Sequence, residues 1–209
     1  LLVDNNNYVA LTGRGSLKFH YVHSADSDSR IDPSTSNIID IYLLTRTFDR
    51  DFRLWLDGVN SSKPKTPSAD SLFQSYGSEL NKIKSISDEL VYHPVSYKVL
   101  FGSKADSTLQ ATFKIVKNKE QVTNDSDLKV RIISAINQFF ALENWEFGDT
   151  FYFSELSAYV MNRLAPDLST FVIVPNAGNQ GFGSLYEIKS ESNEIFISGA
   201  TVNDVQVIE

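Results

Sequence analysis

Two stretches in the middle of this 209-residue chain place an apolar residue at every second position. The first contains Val95, Tyr97, Val99 and Phe101, and the second contains Leu109, Ala111, Phe113 and Ile115. A period of two puts these side chains on one face of an extended strand. Because only residues 102–107 separate the stretches, we predict a long β-hairpin with one apolar face.

Helical periodicity lies on both sides of this hairpin. Residues 69–87 carry apolar side chains on one stripe, and a second predicted helix begins at the capping residues Asn124–Asp127 and runs to about Leu142. A third predicted helix has Ser154 as its N-cap and ends before Pro166. Further strands are predicted at residues 17–22, 37–44 and 171–174, and residues 184–209 are β-like.

From residue 37 the predicted order is strand, helix, strand, strand, helix, helix, strand. We therefore predict an α+β fold with a ferredoxin-like split β-α-β core, an added helix and flanking β-rich segments. We divide the chain into three segments. Residues 1–36 form a β and loop segment, which could belong to a preceding domain. Residues 37–175 form the α+β core, and residues 176–209 form a β-rich C-terminal segment. Since the chain opens on Leu1 and stops directly after a strand-like alternation, we expect a piece of a longer protein.

Composition excludes several classes of partner. The net charge of -7 is spread over single acidic residues, so nucleic acid is not an expected partner. The chain has no cysteine, which rules out disulfides and thiolate metal sites and favours an intracellular folding compartment. No apolar run approaches the roughly 18 residues of a membrane helix, so no membrane partner is expected.

The histidines and acidic residues predict no catalytic or metal site. His20 and His23 are three apart in and beside a predicted strand, so they would point to opposite faces, and His93 is distant in sequence. The loop from Asp26 to Asp32 begins like a calcium loop, but Arg30 occupies a ligand position. A hydrogen-bonded or solvated role is the plainer interpretation of each residue.

Two further patterns fail as catalytic motifs. The glycine cluster at Gly178–Gly183 precedes a strand, so no helix N-terminus is there to receive a phosphate. Ser154 lacks the flanking glycines of a hydrolase nucleophile elbow. We therefore predict no catalytic residue, metal ligand or cofactor and no small-molecule substrate, and we do not expect an enzyme.

One short aromatic segment is a candidate for protein contact. Phe48, Phe52 and Trp55 are spaced by four and three residues, which puts them on one edge of a predicted helix beside the Pro-rich linker 60–68. Trp and Tyr are enriched at the hot spots of protein interfaces. These three residues are our candidate interface, with a core role for Trp55 as the open alternative.

A longer motif begins after the second helix. The sequence W-x-F-G at Trp145–Gly148 is followed by an apolar strand at 151–153, a predicted helix at 154–164 and a strand ending in V-I-V-P at Pro175. Physically, Trp145 and Phe147 are predicted to lie in the core, with Gly148 allowing a turn. In order and spacing these four parts resemble the baseplate J-like proteins of contractile phage tails. The resemblance in sequence extends over roughly residues 37–200.

The resemblance implies a structural subunit of a baseplate wedge. Such a protein would pair with itself as a homodimer, bind other wedge proteins and join wedges into a ring around the tail hub. It would be located in the virion, in the tail baseplate, after assembly in the host cytoplasm. The alternative is a carbohydrate- or ligand-binding module of a tail, which the aromatic residues Tyr8, Tyr21 and Tyr186 would serve.

Overall fold

The chain forms two compact units, residues 1–96 and 97–209. A computed structural model describes residues 2–3, 9–10, 17–22, 38–81, 89–178 and 181–208. Helices and strands are mixed in both units, so the predicted α+β class is confirmed. The boundary between the two units, after residue 96, lies inside the α+β core predicted at residues 37–175. The predicted limits of that core stay a prediction.

The first unit contains a three-stranded sheet covered by helices. Strands β1 (Leu2–Val3) and β2 (Val9–Ala10) form a separate antiparallel pair. In the larger sheet β4 (Ile38–Thr45) lies between β3 (Leu17–Val22), which is antiparallel to it, and β5 (Glu89–Pro94), which is parallel. Parallel neighbours require a crossover, and helices α1 (Arg46–Leu56) and α2 (Ala69–Leu80) form it.

One hydrophobic core cluster of this unit lies between the sheet and α2. It contains Ile39, Ile41, Leu43, Leu72, Leu80 and Tyr92, with Tyr76 and Leu90 packed against them. The predicted face of strand 37–44 is thus confirmed. The predicted helix stripe is confirmed at Leu72 and Leu80 but is wrong at Phe73, which is 52% exposed. Ile83 lies outside the described residues.

The second unit contains three small sheets. Strand β7 (Ala111–Lys117) is the centre of one sheet, antiparallel to β9 (Leu168–Pro175) and parallel to β12 (Val205–Val207). Strand β6 (Ser96–Leu100), at the boundary of the units, pairs with β11 (Glu194–Ser198). Strand β8 (Thr150–Tyr152) pairs with β10 (Glu187–Lys189). Each C-terminal strand therefore pairs with an earlier strand.

This topology corrects the predicted hairpin. Strands β6 and β7 lie in different sheets, and the described backbone joins their ends by one hydrogen bond, from Phe101 N to Leu109 O at 3.1 Å. A ferredoxin-like core would have put the four predicted strands, observed as β4, β6, β7 and β9, in one sheet. They lie in three different sheets. That finer description is therefore not confirmed.

Two helices and a dense aromatic cluster fill the second unit. Helix α3 (Asp125–Phe139) begins at Asn124, whose side chain accepts from the amides of Ser126 and Asp127, as predicted. Helix α4 (Phe153–Leu164) begins one residue earlier than predicted, after Tyr152 and without a side-chain cap, so the prediction of Ser154 as N-cap is wrong. The rings of the cluster are buried and include Phe101, Phe113, Phe140, Phe151, Phe182 and Phe196.

Candidate protein-contact surfaces

The predicted interface residues lie on α1, but two of them face inward. Phe48 and Phe52 are 5% and 1% exposed, and Trp55 is half-buried. The Phe52 ring lies 5.7 Å from that of Phe48 and 5.2 Å from that of Trp55, measured between centroids. The structure therefore corrects the expectation for Phe48 and Phe52: both are core residues of this unit, and only Trp55 has surface to offer a partner.

The linker after α1 covers part of this aromatic edge. The ammonium group of Lys63 lies 5.7 Å from the centroid of Phe52 and 5.6 Å from that of Trp55. Both distances are within the range of a cation–π interaction. Because the chain's own lysine already occupies this position, the candidate interface of the sequence is partly closed within the unit.

A larger open surface lies in the second unit, beside β9. A groove of about 530 Å³ runs along Phe171–Pro175 of this strand, with the first turns of α4 and residues Leu185 and Tyr186 on its other sides. Three of its apolar side chains are exposed: Val172 at 47%, Leu185 at 72% and Tyr186 at 40%. We call this surface the β9 groove.

The chemistry of the β9 groove is apolar. Apart from the Tyr186 phenol, its polar side chains are the hydroxyls of Ser154 and Ser157. Among the described residues no histidine or carboxylate lines it, so none of them offers Ser154 a base that could activate it as a nucleophile. Such a surface can bury apolar area against a partner.

Strand β9 is also an edge strand in the described part of the chain. Its one strand neighbour there is β7, so the backbone groups of its other side are not used in the ladder. The eight residues of β9 include no charged side chain. Charged side chains are one device by which edge strands avoid pairing with another chain, and β9 lacks them, while Pro175 stands at its end.

A second concave surface lies between α3, α4 and the W-x-F-G turn. This cavity of about 440 Å³ combines aromatic rings with the carboxylates of Asp149 and Glu155. The turn itself is as predicted: Trp145 and Phe147 are 6% and 8% exposed, and Gly148 has a φ of +80°. Trp145 donates from Nε1 to the carbonyl of Phe139 at 2.9 Å, which fixes its indole in the cavity wall.

The histidines form no metal site in the described residues. His93 Nε2 lies 2.7 Å from Asp40 Oδ1, and its ring stacks on Tyr42 with centroids 4.9 Å apart. His23 and the acidic loop Asp26–Asp32 lie outside the described residues, as does part of the glycine cluster. Within the described ranges no three His, Cys, Asp or Glu side chains are placed to hold a metal ion.

The sequence did contain a signal for the β9 groove. The run F-V-I-V was predicted as a short strand of the buried type, but in the described residues β9 is an edge strand and its Val172 is 47% exposed. Periodicity alone does not distinguish these cases, because the number of strand neighbours is a property of the fold. The positions of Leu185 and Tyr186 beside it gave no recognisable pattern.

Comparison with models of known protein families gave no match, and comparison with curated protein sequences gave none either. In the part of the chain that the structure describes, every helix is too short or too polar to cross a membrane.

Proposed function

We propose that this chain is a structural subunit that works through contacts with other proteins, as part of the baseplate wedge of a contractile phage tail. The resemblance of residues 137–175 to baseplate J-like proteins carries the baseplate assignment. The same residues also resemble the C-terminal portion of the large wedge subunit of T-even-like myoviruses. The proposal does not depend on a ferredoxin-like core, and it includes no enzymatic activity.

The single structural observation in favour of protein contact is the apolar β9 groove next to an uncharged edge strand. The occupant we propose is a second copy of this chain, with β9 antiparallel to the β9 of that copy. Such pairing is two-fold symmetric and self-complementary. Because β9 carries no charge, the two strands would meet without like-charge repulsion. Other wedge proteins would bind elsewhere on the chain.

Sedimentation velocity over a wide concentration range tests this pairing. The unmodified chain is expected to form a dimer, and Val172→Lys is expected to weaken it by at least about tenfold, because an ammonium group would be buried without a partner. Val130→Lys is the matched control, since Val130 is 57% exposed on α3 and does not line the groove. A chain that stays monomeric, or an equal effect of the two variants, contradicts self-pairing at β9.

One observation favours a carbohydrate-binding tail module as the second candidate. Tyr186 is 40% exposed in the β9 groove, next to the hydroxyl groups of Ser154 and Ser157. An aromatic face with nearby hydroxyls suits a sugar ring. If this candidate is correct, an oligosaccharide raises the melting temperature of the chain; no rise across a panel of oligosaccharides counts against it.

A further inference from the structure

The cavity between α3, α4 and the W-x-F-G turn has an aromatic wall that is rigidly held. The Phe139 ring lies 5.5 Å from Trp145 and 5.4 Å from Tyr159, measured between centroids. The Trp145 indole is also fixed by its hydrogen bond to the Phe139 carbonyl. Three aromatic rings thus border one concave surface before any ligand binds. Aromatic rings attract a cation placed against them through their quadrupole.

Two carboxylates share this cavity with the rings. Asp149 is held in place because its Oδ2 accepts from the Glu146 amide at 2.7 Å, while its carbonyl accepts from the amide and hydroxyl of Ser190. Glu155 is exposed in the first turn of α4. No lysine or arginine lines the cavity, and neither carboxylate forms an ion pair within the described residues.

Ordinary structural roles explain each carboxylate separately. Glu155 has a favourable interaction with the N-terminus of α4, and Asp149 closes the turn at Glu146. These roles do not explain why both carboxylates border a concave surface walled by Phe139, Trp145 and Tyr159. The combination is what an organic cation requires: π-faces for its body and carboxylates for its N–H donors.

Among cations, a guanidinium group fits best. It is planar, stacks on aromatic rings and presents five N–H donors to carboxylates, whereas an ammonium group is compact and strongly hydrated. A calcium ion would need six to eight oxygen ligands, and among the described residues no third carboxylate joins Asp149 and Glu155 to hold one. The phosphates of a nucleic acid would be repelled by both carboxylates.

We propose that this cavity is a binding site for an arginine side chain of a partner protein, seated against Phe139, Trp145 and Tyr159 with its guanidinium paired to Asp149 and Glu155. The site is separate from the β9 groove, and the inference stands whether or not the chain belongs to a baseplate.

The test uses the 209-residue chain with N-acetyl-arginine amide as the probe. Binding is monitored through the two tryptophan indole N–H signals in proton–nitrogen NMR spectra. The Trp145 signal is expected to shift saturably, with a Kd on the order of millimolar for so small a ligand. The Trp55 signal, which comes from the other unit, is expected not to move. N-acetyl-citrulline amide has nearly the same shape without the charge, and it is expected to bind at least several-fold more weakly.

Variants of the cavity complete the test. Glu155→Gln and Tyr159→Leu are each expected to weaken binding of the arginine probe by roughly two- to fivefold, the range of an exposed ion pair or cation–π contact. Glu120→Gln removes the same charge from an exposed turn outside the cavity and is expected to change nothing.

The inference is overturned if the Trp145 signal does not saturate with the arginine probe, or if citrulline amide binds equally well. It is also overturned if Glu155→Gln and Glu120→Gln have the same effect. None of these results bears on dimer formation, which sedimentation measures independently.

Discussion

Tyr92 buries a hydroxyl group that has no hydrogen-bond partner among the described residues. It is 8% exposed and packs in the core of the first unit with the apolar residues of β4 and α2. Burial raises the pKa of Tyr92 above its ordinary value of 10.0, because the charged phenolate loses its solvation there. Folding therefore favours the neutral phenol over the phenolate. The neutral phenol still leaves its O–H donor without a partner among the described residues.

Tyr92→Phe is therefore expected to raise the free energy of unfolding by about 1 kcal/mol at pH 7, measured by urea unfolding. Since the folded pKa is raised, Tyr92 loses its proton in the unfolded chain first, and the free energy of unfolding falls as the pH rises from about 10 through the raised pKa. The advantage of Tyr92→Phe is expected to grow in that range.

Tyr76→Phe serves as the control, because Tyr76 packs on the same core but is only partly buried. Its effect is expected to be near zero at pH 7. If Tyr92→Phe is instead destabilising, as when a formed hydrogen bond is lost, our description of the Tyr92 hydroxyl is wrong.

At the scale of elements, the end of β6 is joined to the end of β11 by a very close backbone contact. Gly102 has a φ of +69°, and a Cβ built on it would lie 1.8 Å from the carbonyl oxygen of Gly199. The Gly199 amide in turn donates to the Leu100 carbonyl at 2.8 Å. Only glycine fits this position without moving one of the two strands.

Gly102→Ala is expected to lower the free energy of unfolding by at least about 2 kcal/mol, through both the positive φ and the clash. Gly178→Ala isolates the first effect, because Gly178 has a φ of +66° in the same unit and no described residue lies within 4 Å of a built Cβ. Its expected loss is about 1 kcal/mol. Thermal unfolding of the two variants compares them, and equal losses would contradict the importance of the Gly199 contact.

Most of the elements could be predicted from local pattern, since burial of one face leaves a period in the sequence. Residues 37–44 were predicted as a strand and β4 spans Ile38–Thr45, while α3 was predicted from its cap at Asn124. Strand pairing could not be predicted in the same way. Periodicity shows which face of β6 is buried but not that its neighbour is β11, far along the chain.

The candidate interface was only partly predictable for a related reason. Phe48, Phe52 and Trp55 share one edge of α1, and this spacing looks the same whether the rings pack inside a unit or against a partner. The structure distinguishes these cases residue by residue. The β9 groove and the cavity beside Trp145 are assembled from residues distant in sequence. Local pattern therefore indicated the strand F-V-I-V-P and the W-x-F-G turn, but not the surfaces that they help to form.

At the scale of the whole molecule, the second unit presents two surfaces of different chemistry. The β9 groove is apolar and uncharged, and the cavity beside Trp145 is aromatic and acidic. A chain with a net charge of -7 that exposes both surfaces is suited to hold two kinds of protein partner. This arrangement agrees with a subunit that pairs with itself and also binds other proteins of an assembly.

Covalent crosslinking at β9 tests the central claim most directly, because the chain contains no cysteine and a single introduced thiol is unique. Val172→Cys and the control Val130→Cys would be treated with a short bismaleimide at a concentration where the unmodified chain is dimeric. Our account expects a covalent dimer from Val172→Cys and little from Val130→Cys. Equal crosslinking of the two variants, or crosslinking only through Val130→Cys, would contradict pairing of two copies at the β9 groove.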